Sequence, residues 1–171
     1  MRSVLRGSIA LVAISMLALL AFLAVQWSGA TQQPAPRDGQ NEAIAQGKYI
    51  AQIGGCNDCH TTGYNESDGT TPEAQWLLGS ELGWCGAWGT TYPFNLRLVL
   101  ARMSADDWVA WARQLKTNPP MPWYDVRAMT EADLRALHAF VQQLGPSGEP
   151  APEALPPGKK PKGPCVQFPT Q

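Results

Sequence analysis

The tightest constraint on how this chain folds is a short stretch, Gly55-Cys56-Asn57-Asp58-Cys59-His60. Two cysteines spaced C-x-x-C and followed at once by histidine form the attachment signature of c-type haem. The spacing has a physical basis. Two thiols about one helical turn apart reach the two vinyl groups on one porphyrin edge, and the next residue swings its imidazole under the iron. A domain built on this segment encloses a flat cofactor, so its side chains need not fill its own centre.

Three other uses of the motif fit less well. A redox-active C-x-x-C wants a strand–helix context of thioredoxin type, which the flanking sequence lacks. A zinc site needs four ligands, and Cys85, Cys165 and His138 have no partner at ligand spacing. A structural Cys56–Cys59 disulfide leaves His60 without a role. With Cys56 and Cys59 consumed by thioether bonds, Cys85 and Cys165 remain, and the sequence predicts a disulfide between them.

Export supports that pairing, because disulfides persist in oxidising compartments. Arg2 and Arg6 precede an apolar run, Ser8 to Trp27, whose only polar residues are Ser8, Ser15 and Gln26. The run is near bilayer-spanning length, and the flanking charges put the N-terminus in the cytoplasm and the rest outside. Residues 1–30 are therefore read as a signal-anchor, or as a signal peptide cut near Ser28-Gly29-Ala30. Residues 31–42 read as a polar linker, 43–145 as the folded domain, and 146–171 as a Pro-rich tail. The tail ends in an apolar cluster around Cys165 and Phe168 and is expected to pack on the domain. Thirteen Lys and Arg against fourteen Asp and Glu give no basic field, which argues against nucleic acid as a partner.

The domain reads as helical. Ala43, Ile44, Gly47, Ile50, Ala51 and Gly54 share one face at helical spacing, and the face is small enough for another helix to approach closely. Ser104 caps a second helix with Asp106 and Asp107 in its first turn; Trp108, Trp111, Ala112 and Leu115 form its apolar stripe. Thr130 caps a third, whose inner face is Leu134, Leu137, Val141 and Leu144, and Gly145-Pro146 stops it. No run alternates convincingly as a strand, so the fold class expected is all-α. The long connection from Thr61 to Met103 is then unusual.

A haem held by Cys56, Cys59 and His60 needs a second axial ligand or keeps an open site. Met103, Met121, Met129 and His138 are the candidates. Met103 precedes a helix cap, Met129 sits where an apolar staple residue is common, and His138 borders an apolar stripe. Met121 lies in Pro119-Pro120-Met121-Pro122-Trp123, a stiff loop with little entropy to lose, and is favoured. Trp84, Trp88, Tyr92, Trp123 and Tyr124 fall in loops, where they either line the haem crevice as propionate donors or simply pack.

From about Ala43 to Gly145 the chain resembles class I, mono-haem c-type cytochromes, in particular the bacterial domains that accompany periplasmic dehydrogenases. Gly47-Lys48-Tyr49 leading into Cys56-x-x-Cys59-His60, Trp88-Gly89-Thr90-Thr91-Tyr92 followed by Asn95, and Pro120-Met121-Pro122-Trp123 before a last helix carry the resemblance. It implies one covalent haem c with His60 and Met121 as axial ligands, and terminal helices crossing at Gly47. It implies an electron carrier, or an electron-transfer subunit of an oxidoreductase held by the anchor, rather than an enzyme, taking electrons from a dehydrogenase and passing them to a cytochrome or oxidase. The place would be the periplasmic side of the bacterial inner membrane, anchored through residues 8–27 unless these are cleaved. The alternative is a haem enzyme or gas sensor with an open or labile sixth position. Cys85 and Cys165 depart from the family's pattern.

Overall fold

Small residues at helical spacing let the first helix lie close to the last. In the computed structural model, which describes residues 38–169, helix α1 spans Asp38–Ile53. It therefore begins inside the stretch expected to be linker. Gly47, Ile50 and Ala51 are buried on one face. A Cβ placed on Gly47 would lie 2.6 Å from the Ala136 carbonyl carbon and 2.7 Å from the Phe140 Cβ, closer than real Cβ contacts come. Only glycine lets the two helices meet there. The crossing implied by the family resemblance is thus present.

Helix α2 is the single turn Cys56–His60, and α3 is Leu96–Leu100, capped by the Asn95 side chain. Helix α4, Ala105–Gln114, starts with a reciprocal capping box between Ser104 and Asp107. Helix α5 spans Trp123–Ala128. Helix α6, Glu131–Leu144, opens with a second box between Thr130 and Asp133. The core joins these elements: Ala51, Trp76, Leu77, Leu100, Trp108, Ala112, Leu134, Phe140 and Val141 form one buried cluster. The Trp108 indole donates to the Leu134 carbonyl at 2.8 Å, fixing α4 against α6. Trp111, expected on the inner stripe of α4, is instead 36% exposed and leans on Trp108.

The all-α expectation is overturned. Strands β1, Gly83–Gly86, β2, Gly89–Thr91, and β3, Cys165–Gln167, make a three-stranded mixed sheet in the order β2-β1-β3. β1 pairs antiparallel with β2 and parallel with β3. The physical reason is length. Strands of three or four residues, two of them glycines in β1, carry too little alternation to be recognised, and the partner of β1 lies far along the chain.

The tail is part of this sheet. Cys85 and Cys165 form a disulfide across a separation of 80 residues, as the sequence predicts. Leu155 pairs with Thr90 on the outer side of β2, through hydrogen bonds of 2.8 and 2.9 Å. The tail therefore occupies both edges of the hairpin, which otherwise present unpaired backbone groups. Phe168 lies against the rings of Trp84 and Trp88, at centroid distances of 5.9 and 5.4 Å.

Arg97 ties the start of the tail to the core. Its buried guanidinium donates to the carbonyls of Ala74, Leu144 and Gly145, neutralising the C-terminal end of α6. Asn95 donates to the Ser147 and Glu149 carbonyls just beyond. The expected membrane segment lies outside the described residues, and among the described residues no helix is long and apolar enough to cross a membrane.

Candidate functional site

The candidate haem site begins where α1 ends. Gly55 adopts a left-handed conformation, φ 68°, which redirects the chain into α2. Cys56 and Cys59 are three residues apart on this turn, so their thiols share one face. Neither forms a disulfide, and Cys56 packs against the main apolar cluster. Burial, with a smaller contribution from the charge of Asp58, pushes the Cys56 thiol up to about 11. Burial also raises Cys59, again with Asp58 adding to it. The attacking thiol of a disulfide catalyst shifts the other way, toward thiolate.

His60 is buried, and its Nδ1 lies 2.7 Å from the Phe94 carbonyl oxygen. A carbonyl only accepts, so Nδ1 carries the hydrogen and Nε2 keeps its lone pair. Burial lowers the affinity of the ring for a second proton, partly offset by the Phe94 bond, which favours the neutral imidazole that binds metal. The carbonyl itself is firmly held. The neighbouring Asn95 is buried, caps α3 and anchors the tail, while the Ser80 amide donates to the Pro93 carbonyl.

The Met121 loop is tied to the same segment. The Thr91 hydroxyl donates to the Pro119 carbonyl at 2.7 Å. Thr91 and Phe94 are three residues apart and so separated by at most about 11 Å. One short stretch thus braces both the loop that carries Met121 and the ring of His60. Met121 is half-buried and packs on the cluster that Cys56 also touches.

His138 is committed elsewhere, and Met103 and Met129 pack on the same cluster as Met121. His138 is buried with Nε2 3.0 Å from the Met103 carbonyl, bracing the turn before α4. Met103 and Met129 border the core, and the Met129 Cε reaches to 3.9 Å from a Cβ built on Gly54, at the end of α1. Among the described residues no three His, Cys, Asp or Glu side chains converge as a metal cluster.

The buried donors bear on what the site holds. The indole N–H groups of Trp84 and Trp88 and the amide nitrogen of Asn57 are buried without a hydrogen-bond partner among the described residues. Such groups are costly unless an acceptor completes them. Cys56, Cys59 and His60 share one turn and have the chemistry a haem c would need, while the Trp84 and Trp88 rings lie against Phe168 on the sheet. Trp84 lies on β1 and Trp88 in the turn to β2, on the sheet that the sequence did not show.

Sequence reasoning missed the Phe94 carbonyl, Thr91 as a brace, and Asn57, whose Oδ1 accepts from the Thr61 hydroxyl at 2.7 Å. Asn95 was visible as part of the middle motif, but its capping and anchoring roles were not. Comparison of the chain with family models, with characterised proteins and with solved structures returned no match.

Proposed function

We propose that this chain is a single-electron carrier of the class I c-type cytochrome kind, with one haem c attached through Cys56 and Cys59 and axial ligation by His60 and Met121. The observation that carries the reading is at His60. Directly after two unbridged cysteines on one turn stands a buried, neutral imidazole whose Nδ1 is committed to a backbone carbonyl. That arrangement leaves one nitrogen, Nε2, for iron and fixes the ring's orientation. When bound, the haem supplies a one-electron ferric–ferrous couple.

The chain's own residues do the rest. Phe94 holds His60, Thr91 holds the Pro119–Met121 loop, and the core cluster under Cys56 and Met121 keeps water from that side. The unpartnered indoles of Trp84 and Trp88 are the donors suited to the propionates. With His60 and Met121 both holding the iron, no position would remain for substrate, so the reading is a carrier rather than an enzyme. Its donor is a dehydrogenase and its acceptor a cytochrome or oxidase, met on the periplasmic side, where residues 8–27 deliver or anchor the domain.

The test is the sixth ligand. Replacing Met121 with Ala is expected to leave the haem attached, abolish the weak near-infrared charge-transfer band of Met-bound ferric haem, and lower the reduction potential. Survival of the band in that variant, with its loss in Met129→Ala or Met103→Ala, reassigns the ligand. Rapid carbon monoxide binding by the reduced wild type at neutral pH overturns the carrier reading in favour of an open site.

A further inference from the structure

The two ends of the Cys85–Cys165 disulfide are unequally covered. Cys85 lies within β1 and is 8% exposed, whereas Cys165 is half-buried at the start of β3. Both residues line a cavity of about 500 Å³ between the tail and the hairpin. Lys159 and Lys160 contribute to the same lining, and no acidic residue does. Gly83, the strand partner of Cys165, leaves space beside that sulfur, since a Cβ built there would stand 3.2 Å from the Cys165 Sγ.

Thr90 adds a second asymmetry. Its buried hydroxyl oxygen lies 3.2 Å from the Cys85 Sγ. A bridged sulfur carries no hydrogen, so the hydroxyl is the donor. A hydroxyl aimed at one sulfur of a disulfide stabilises the thiolate which that sulfur becomes when the bond opens, and a better-stabilised thiolate leaves faster. Exposure favours attack on Cys165, and the hydrogen bond favours departure of Cys85. The two effects therefore act in one direction, and the lysines add a positive field that draws an attacking thiolate in.

We infer that Cys165 is a thiol–disulfide exchange site for a dithiol reductant, and that its opening unlatches the end of the tail. A thiolate of the reductant attacks the Cys165 Sγ. A new S–S bond forms there, the Cys85–Cys165 bond breaks, and its electron pair leaves on Cys85 as a thiolate that takes a proton from water. The reductant's second thiolate attacks its own sulfur in the mixed disulfide and releases Cys165, which is protonated in turn. The chain's disulfide has then gained two electrons, and the dithiol has become a disulfide. Without the bridge, β3 is held by a three-residue pairing with β1, by the Phe168 amide on the Cys85 carbonyl, and by the Phe168 ring against Trp84 and Trp88. So short a pairing is marginal alone, so the segment leaves and bares the β1 edge. No step uses Cys56, Cys59, His60 or Met121, so the inference stands apart from the haem reading.

The test uses the full chain in its bridged form, with any thiol already open capped by iodoacetamide. 2-Mercaptoethanol is the probe, N-ethylmaleimide stops the exchange, and peptide mapping reads each cysteine. The expected early product carries mercaptoethanol on Cys165 and N-ethylmaleimide on Cys85. Thr90→Val should slow the exchange about tenfold, and Thr90→Ser should restore it. Lys159→Gln/Lys160→Gln, both on exposed side chains, should slow it several-fold at low salt and little at high salt. Hydrogen exchange at the Phe168 amide should quicken about tenfold in the product. Mercaptoethanol on Cys85 overturns the inference, as does a Thr90→Val rate that is not slowed. Exchange no faster than global unfolding overturns it too, because the disulfide is then closed to attack in the folded chain. A Phe168 amide as protected in the product as in the bridged chain overturns the latch.

Discussion

Replacing Gly47 with Ala isolates the contact on which the helical frame depends. On an exposed helix the change would stabilise by roughly 1 kcal/mol through helix propensity. At this crossing the new methyl would sit 2.6 Å from the Ala136 carbonyl carbon and 2.7 Å from the Phe140 Cβ. Neither atom can rotate away, because one is backbone and the other is fixed directly to it. Because the methyl also overlaps the Ala136 carbonyl oxygen, helices α1 and α6 must move apart by about an ångström, loosening the packing around Ala51 and Val141, both essentially inaccessible. Overpacking of this kind costs up to about 3 kcal/mol, leaving a net loss near 2 kcal/mol. For a domain of this size that lowers the melting temperature by roughly 6–10 °C. Thermal unfolding followed by circular dichroism reads the shift, with Gly39→Ala in parallel. Gly39 lies on the same helix with nothing within 4 Å of its built Cβ, so only propensity acts there. A Gly47→Ala protein melting at or above the wild type, or two variants shifting alike, refutes the reasoning.

Arg97→Ala strands the carbonyls of Ala74, Leu144 and Gly145 and should destabilise by about 3 kcal/mol in urea unfolding. Arg97→Lys should recover only part of that, since one ammonium cannot reproduce the fork. Loss of the Cys85–Cys165 bridge, which closes a separation of 80 residues, should cost about 4 kcal/mol on the chain-entropy account. It should also speed hydrogen exchange at the Phe168 amide, now 2.8 Å from the Cys85 carbonyl; unchanged exchange in Cys165→Ser would contradict the pinned tail. The Ser104 hydroxyl and amide hold the Asp107 carboxyl below its ordinary 3.8. A depressed carboxylate stabilises fully above the unfolded value and loses that contribution as pH falls through the folded one. Asp107→Asn should therefore flatten the acid limb of a melting-temperature profile below about pH 4, and an unaltered limb would count against the cap.

The elements that could be read in the sequence are those whose signals are local. Ser104 with Asp107, and Thr130 with Asp133, announce α4 and α6 within four residues, and each box is present. The Gly47 face and the Cys85–Cys165 pairing were readable because small residues and leftover cysteines have few other uses. The sheet was not, because β1 and β3 meet across most of the domain and each is too short to show a period. Helices α3 and α5 are five and six residues long and were read as loop for the same reason. In the candidate site, Cys56, Cys59 and His60 are singled out by spacing alone. What orients them is not, since His60 is held by a backbone carbonyl, and a carbonyl leaves no letter in the sequence. Arg97 reads as an ordinary surface charge until the end of α6 is seen to lie on it.

Intact-mass spectrometry of protein made in a host that matures c-type cytochromes, paired with its optical spectrum, addresses the central claim. The account predicts a mass raised by one haem that survives denaturation and acid–acetone extraction. It also predicts no free thiol before reduction, because Cys56 and Cys59 would then be thioethers and Cys85 and Cys165 are bridged. The reduced spectrum should show the sharp bands of low-spin, six-coordinate haem c. An apoprotein mass with Cys56 and Cys59 open to alkylation would contradict it.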